Sequence, residues 1–339
     1  MSSTKLQYQT AIDFVEIELQ TGRPTQARHI YNAMAQEQRI NERMGAAVTI
    51  EQALDRQGNE LFGNTTANRF RIRIHDPKSF RQIKTLCEQM NGEYEISEES
   101  VVITALEIAF DTYKAGATAR ELAVIAADRY RWLTSPPIDS RWYFYREKGE
   151  RRRYIIEAIT GPTREADDNV IMLNDIIRYL ADGWQLTDAN SKSVDRRWHV
   201  YVKTRDTIGQ QDENNELESK DRKLLSQDKW RARIEITLRG DALPFRTMAE
   251  LEAFDIAKLT KHFKFRQIDN QLPRITTYAI SQCSGRQLGR RGIYRKPLKI
   301  VGKYSRGKPL AYRHSSIADT RLNRVILRAF ERFSRGWRK

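Results

Sequence analysis

Arg231-Ala232-Arg233-Ile234-Glu235-Ile236-Thr237-Leu238-Arg239 alternates polar and apolar side chains without a break. A β-strand puts successive side chains on opposite faces, so strict alternation predicts a strand with one face buried and one wet. Ala232, Ile234, Ile236 and Leu238 take the apolar face, opposite Arg231, Arg233, Glu235, Thr237 and Arg239. Three further segments read the same way. In Arg69 to His75, Phe70, Ile72 and Ile74 oppose Arg69, Arg71, Arg73 and His75. In Val101 to Asp111, Val102, Thr104, Leu106, Ile108 and Phe110 oppose Ile103, Ala105, Glu107, Ala109 and Asp111. In Arg196 to Lys203, Trp198, Val200 and Val202 oppose His199, Tyr201 and Lys203.

Helical segments are expected from Asp76-Pro77 to about Met90, and over Ala117 to Leu133, Thr163 to Leu180, Met248 to Phe265 and Ile317 to Phe333. Residues 5–60 also read as helical, with candidates at Thr25 to Met34 and at Thr49 to Gln57, the latter capped by Thr49. Arg141 to Arg153, aromatic and basic, reads as a hairpin or extended arm, and Asp206 to Asp221 as a polar loop or insertion. Helices that follow strands can cover their apolar side. The expected fold is therefore α+β, with a mostly antiparallel central sheet and helices on one face. It divides into a helical N-terminal region (1–67), a sheet domain (68–283, with the insertion at 206–221) and a basic C-terminal segment (284–339).

Of the 339 residues 40% are hydrophobic, enough to core one large domain or two ordinary ones. The net charge of +15 is unevenly placed. Ser284 to Lys339 holds 17 Lys/Arg against Asp319 and Glu331, while the remainder balances 42 bases with 42 acids. A neutral body with a basic end implies a polyanionic partner. No apolar run approaches a membrane span, and the polar Met1 to Thr10 lacks a signal-peptide core, so nucleic acid in the cytoplasm is favoured over a membrane. The expected DNA contacts are Arg71, Arg73 and Arg233 on the strands, and Arg290, Arg291, Arg295, Lys296, Lys299, Lys303, Arg306 and Lys308 in the basic segment. Tyr294, Tyr304 and Tyr312 are placed to pack on sugars or bases, and truncation at Ser284 is expected to weaken binding. Cys87 and Cys283 stand far apart in no metal-ligand spacing and read as ordinary thiols in a reducing compartment.

The polar strand faces collect His75, Glu107, Asp111, His199, Tyr201, Lys203 and Glu235. Ala105 and Ala109 beside Glu107 leave room for an ion or a substrate. A tyrosine hydroxyl that attacks a phosphodiester yields a phosphotyrosyl intermediate that a 3′-hydroxyl can later reverse. Such chemistry needs a divalent cation on the scissile phosphate, and carboxylate with imidazole suits Mg²⁺ or Mn²⁺. Tyr201 and Lys203 share a strand face, so the lysine can offset phosphate charge. Glu107, Glu235, His199 and Asp111 are the candidate ligands, although Asp111 stands four strand residues, ~13 Å, from Glu107. Tyr113 and Tyr154 are rival nucleophiles.

Three segments resemble the gene II-type replication initiators of filamentous phages and, more remotely, the Rep_trans-type plasmid initiators. Ala105-Leu106-Glu107-Ile108-Ala109-Phe110 is similar to the family strand that carries an acid between apolar residues. Trp198-His199-Val200-Tyr201-Val202-Lys203 is similar to its aliphatic-Tyr-x-Lys segment, and Arg233-Ile234-Glu235 to its Arg-aromatic-Glu strand. The resemblance spans about residues 68–265. It implies an HUH-endonuclease-like nicking domain and a rolling-circle initiator. Tyr201 would be the nucleophile, Lys203 a base or phosphate contact, and Glu107 and Glu235 metal ligands. The partners would be origin DNA, as a hairpin or supercoiled duplex, and a host helicase. The sequence departs from the wider superfamily in lacking a His-hydrophobic-His pair: His29, His75, His199, His262 and His314 are isolated. Any metal site must therefore be rich in carboxylate. The competing readings are a non-catalytic DNA-binding protein, such as an origin binder or repressor, and an RNA-binding protein whose tyrosines stack on bases.

Overall fold

The computed structural model describes residues 6–30, 32–33, 47–54, 60–61, 66–96, 100–136, 142–146, 153–156, 171–172, 175–188, 195–208, 221–268 and 316–338. The strands are β1 (Gln7–Gln26), β2 (Ala47–Leu54), β3 (Glu60–Leu61), β4 (Thr66–His75), β5 (Val102–Tyr113), β6 (Trp142–Tyr145), β7 (Arg153–Ile156), β8 (Ile171–Met172), β9 (Gln185–Asp188), β10 (Arg196–Lys203), β11 (Arg205–Ile208), β12 (Asp221–Leu224), β13 (Arg231–Arg239), β14 (Arg266–Ile268) and β15 (Ser316–Ala318). The helices are α1 (Phe80–Tyr94), α2 (Ala119–Trp132), α3 (Ile176–Ala181), α4 (Met248–Ala253) and α5 (Thr320–Trp337), with a 3₁₀ segment at Ile256–His262.

An 11-stranded sheet organises the molecule in the order β3-β2-β4-β1-β5-β13-β10-β9-β6-β7-β8. Its pairs are antiparallel except β7 with β8. The fold is thus α+β with a large antiparallel sheet. Ile12, Val15 and Ile17 of β1, Phe70 and Ile72 of β4, Ile108 and Phe110 of β5, Ile234 and Ile236 of β13 and Trp198 and Val200 of β10 enter one apolar core. Leu122, Ala126 and Tyr130 of α2 and Leu322, Ile326, Phe330 and Trp337 of α5 close it. α2 packs on β10 and β13, and α5 on β1. A ring contact from Phe110 to Phe263, and another from Phe263 to Phe330, tie β5 to α5 through the 3₁₀ region. α2 starts with a reciprocal cap in which the Thr118 side chain accepts from the Glu121 N–H and Glu121 reaches back to the Thr118 N–H.

β10 and β13 have the bounds and the alternation that the sequence predicts, but the polar face of β13 is not wet, since Arg233, Glu235 and Thr237 are buried; Arg141 to Arg153 contributes the β6–β7 pair. The N-terminal region is corrected in part: residues 27–30 and 32–33 are helical, within the Thr25 to Met34 candidate, but the rest of what is described from Gln7 onward is strand. Residues 7–26 and 47–54 are strands, and the Thr49 segment is part of β2 rather than a capped helix. The cause is a β-bulge. In β1, Ile12 pairs with Ile108 but Phe14 with Glu107, leaving Asp13 as an extra residue. The core phase therefore jumps from Thr10 and Ile12 to Val15, Ile17 and Leu19, and the spacing Ile12, Val15, Leu19 imitates a helix stripe.

A second register shift, where Glu16 pairs with Ala105 and Ile17 with Ile103, corrects the start of β5: Val102 is 41% exposed and Ile103 is buried. α1 begins at Phe80, not at Pro77, because the chain first turns through Asp76 at φ 50°. Residues 171–172 are a strand, the helix after them is limited to Ile176–Ala181, and Thr163 lies outside the described residues. The 248–265 helix divides into α4 and the 3₁₀ segment. The expected insertion begins and ends as a hairpin of β11 with β12. The described end of the basic segment, α5, belongs to the core. Among the described residues no helix is long and apolar enough to cross a membrane.

Candidate active site and metal centre

Three adjacent central strands each supply one acid to the polar face: Asp13 from β1, Glu107 from β5 and Glu235 from β13. One carboxylate oxygen from each lies within 4.8 Å of the others. The register explains the meeting. Glu107 pairs with Thr237 on one side and with Phe14 on the other, and the bulge sets Asp13 beside that pair. Glu235 pairs with Ala109, which pairs in turn with Ala11, so two small residues flank the acids. The Thr237 hydroxyl donates to Glu107 Oε2 at 2.5 Å.

Arg233 crosses this face. It binds Asp111 through two hydrogen bonds, of 2.6 and 2.7 Å, and its Nη1 also reaches Asp13 Oδ1 at 2.5 Å and Glu235 Oε1 at 3.0 Å. Two planar forks meeting in this way fix each other's orientation. Asp111, predicted as a ligand, is instead the counter-ion of Arg233 and Arg231 and stands outside the trio. Arg233 in turn is 2% exposed and spent on three carboxylates, which corrects its reading as a DNA contact. Arg71 and Arg73 are partly exposed and have acidic neighbours of their own. They pair with Glu16 and Glu18 of β1, acids hidden from a reading that made this region helical.

Tyr201, diagonal to Glu235, donates its hydroxyl to Glu235 Oε1 at 2.5 Å. Lys203 lies two residues along the same face and pairs with Asp206 at 3.1 Å. His199 is the cross-strand partner of Glu235, but its Nδ1 faces the Thr187 hydroxyl at 3.2 Å and it is not one of the clustered ligands. Tyr113 stands six residues beyond Glu107 on its strand, about 20 Å away, with Arg231 over its ring. Tyr154 lies on β7, toward the far edge of the sheet. Arg290, Arg291, Arg295, Lys296, Lys299, Lys303, Arg306 and Lys308 lie outside the described residues.

The electrostatics are those of acids crowded faster than cations can neutralise them. Burial opposes the ionisation of Asp13, but Arg233 and Lys203 outweigh it and hold the carboxyl at about 2. Glu107 is pushed up to about 7 by burial and by the Asp13 charge. Burial, then Asp13 and Glu107, raise Glu235 well above the carboxylate range. Burial and the Glu235 charge raise the Tyr201 phenol. His199 falls to about 4, chiefly through burial, so its imidazole is neutral. Three hard oxygen donors with excess negative charge fit a divalent cation such as Mg²⁺ or Mn²⁺.

Sequence reasoning missed Asp13. The available signal was the phase jump from Ile12 to Val15, which in a strand marks a bulge, a device that often re-aims a side chain next to a site.

No protein-family model matches the chain, and no curated protein matches it. A solved structure described as a rolling circle replication initiator protein from Geobacillus stearothermophilus aligns over 79% of this chain and 90% of its own, with 14% sequence identity and a TM-score of 0.29.

Proposed function

We propose that the chain is a metal-dependent DNA-nicking and strand-joining enzyme that initiates rolling-circle replication at an origin. The observation that carries this reading is the hydrogen bond from Tyr201 to Glu235, which points a nucleophile at a cluster of three carboxylates. A protein that only binds DNA has no need of such a cluster. Asp13, Glu107 and Glu235 would hold Mg²⁺ or Mn²⁺, which when bound would polarise the scissile phosphate and stabilise the leaving oxygen.

Tyr201 Oη attacks phosphorus and passes its proton toward Glu235, its hydrogen-bond acceptor, which a bound cation would keep ionised against the burial that raises its pKa. The P–O3′ bond breaks, the 3′-oxygen leaves and takes up the proton released by Tyr201 to become a hydroxyl, and the 5′-phosphate remains esterified to Tyr201. Attack by a 3′-hydroxyl reverses the sequence and joins strands. Lys203 is positioned on the same face to offset charge on the phosphate. Arg233 holds the acids in register from below. The partners in this reading are a hairpin or supercoiled origin and a host helicase, in the cytoplasm of a bacterial cell.

Incubation with supercoiled origin DNA and Mg²⁺ or Mn²⁺ tests it. Wild type should give a nucleotide adduct on Tyr201 by mass spectrometry. Tyr201→Phe should bind the same DNA and cleave none. An adduct on another residue overturns the assignment, and nicking without any adduct overturns the mechanism.

A further inference from the structure

α5 has two faces of opposite character. Leu322, Ile326, Ala329, Phe330 and Trp337 are buried in the core. Arg321, Arg324, Arg328, Arg332 and Arg335 are all exposed. Their spacing of three or four residues aligns them in one stripe on the side away from the core. From first to last the stripe runs about 21 Å. Among the described residues none of the five forms an ion pair, and the helix contains a single acid, Glu331. A solvated helix face normally interleaves signs, because like charges three or four residues apart destabilise the helix. Here four successive arginine pairs carry that cost.

The stripe is rigidly held. The Asp319 side chain caps the Leu322 N–H at 2.8 Å, and the Asn323 side chain bonds the Phe265 backbone through both its oxygen and its nitrogen, each at 2.9 Å. α5 sits on the sheet face that Phe110 and Phe263 fill, opposite the face bearing Asp13, Glu107 and Glu235. The arginines therefore belong to a different surface from the nicking centre.

We infer that the exposed face of α5 is a second nucleic-acid surface, binding the phosphate backbone of duplex DNA away from the scissile strand. This rests on the reading of the chain as a DNA enzyme. A straight line of guanidiniums matches a stiff line of phosphates, the geometry arginine serves best. Single strands are gripped by stacking on aromatic rings. The stripe has none, since Phe333 stacks on Trp337 and faces inward. An anionic membrane would need an apolar face free to enter it, and that of α5 is in the core.

The test is a triple variant, Arg324→Gln/Arg328→Gln/Arg332→Gln, in the full chain. Circular dichroism and thermal melting should match wild type, because the changed side chains are exposed. Duplex binding measured across salt concentrations should lose about 2.7 from the magnitude of its log–log slope, three contacts at ~0.9 each. Arg→Lys at the same positions should keep most of the slope. A slope unchanged in the triple variant overturns the inference while leaving the nicking proposal intact. Absence of any DNA binding by wild type overturns both. Competition in which single-stranded RNA displaces duplex DNA, or a triple variant that loses binding to phosphatidylserine vesicles instead, also overturns it.

Discussion

Replacing Glu107 with Gln separates the two demands placed on that carboxyl. In the metal-free protein its pKa is pushed up to about 7 from the ordinary 4.5, because it is buried beside Asp13. A folded-state pKa above the unfolded one stabilises the protein below the unfolded value, and that contribution is lost as pH rises through the folded value. The window therefore runs from about 4.5 to about 7, and the loss amounts to about 3 kcal/mol at ~1.4 kcal/mol per unit. Gln has the same shape, can still accept from the Thr237 hydroxyl and cannot ionise. In EDTA, urea unfolding should find Glu107→Gln close to wild type near pH 5 and more stable near pH 8, by up to about 3 kcal/mol. Added Mg²⁺ or Mn²⁺ should reverse the order. Wild type gains RT ln(1 + [L]/Kd), about 2.7 kcal/mol at a hundredfold excess over Kd. The variant, short of one ligand, should gain much less. A variant no more stable than wild type near pH 8, or one with an undiminished metal shift, would refute the account of this site.

Asp13→Asn should diminish the metal-induced shift as Glu107→Gln does and abolish nicking, read by melting and by gel assay. Asp111→Asn leaves the buried Arg233 charge under-compensated and should cost about 3–5 kcal/mol in urea unfolding, far more than a lost surface pair. Lys203→Ala should slow single-turnover cleavage ~10²-fold while Tyr201 still forms its adduct. Truncation at Ser284 should unfold the protein outright by circular dichroism, because it deletes the core side chains Phe330 and Trp337.

Where one physical signal acted alone, the sequence was legible. β10 and β13 are unbroken alternations flanked by turns, and their faces, including Tyr201 beside Glu235, followed from period two. Glu107 was legible for the same reason. Asp13 and the strand character of β1 were not, because one extra residue resets the phase and local periodicity then favours the wrong element. Asp111 failed differently. Its face was read correctly, but which cation would claim it depends on cross-strand register, and Arg233 sits directly opposite. The ion pairs of the β4 arginines were hidden in the same way, since their acidic partners lie on a strand more than 50 residues away in sequence.

The bulge in β1 also separates what the fold requires from what the site requires. With Asp13 deleted, Ile12, Phe14 and Val15 would alternate without interruption against Ile108, Glu107 and Leu106. The ladder to β4 would be untouched, because it begins at Phe14 opposite His75. The bond from the Asp76 N–H to the Asp13 carbonyl would need a new acceptor, and Arg233 would keep two of its three carboxylate partners, Asp111 and Glu235. Asp13 is thus a surplus residue in the strand ladder: a chain one residue shorter would make the more regular sheet, with the same apolar core and no third acid in the cluster. The strand ladder does not need this residue, whereas the proposed metal-dependent chemistry would need its carboxylate.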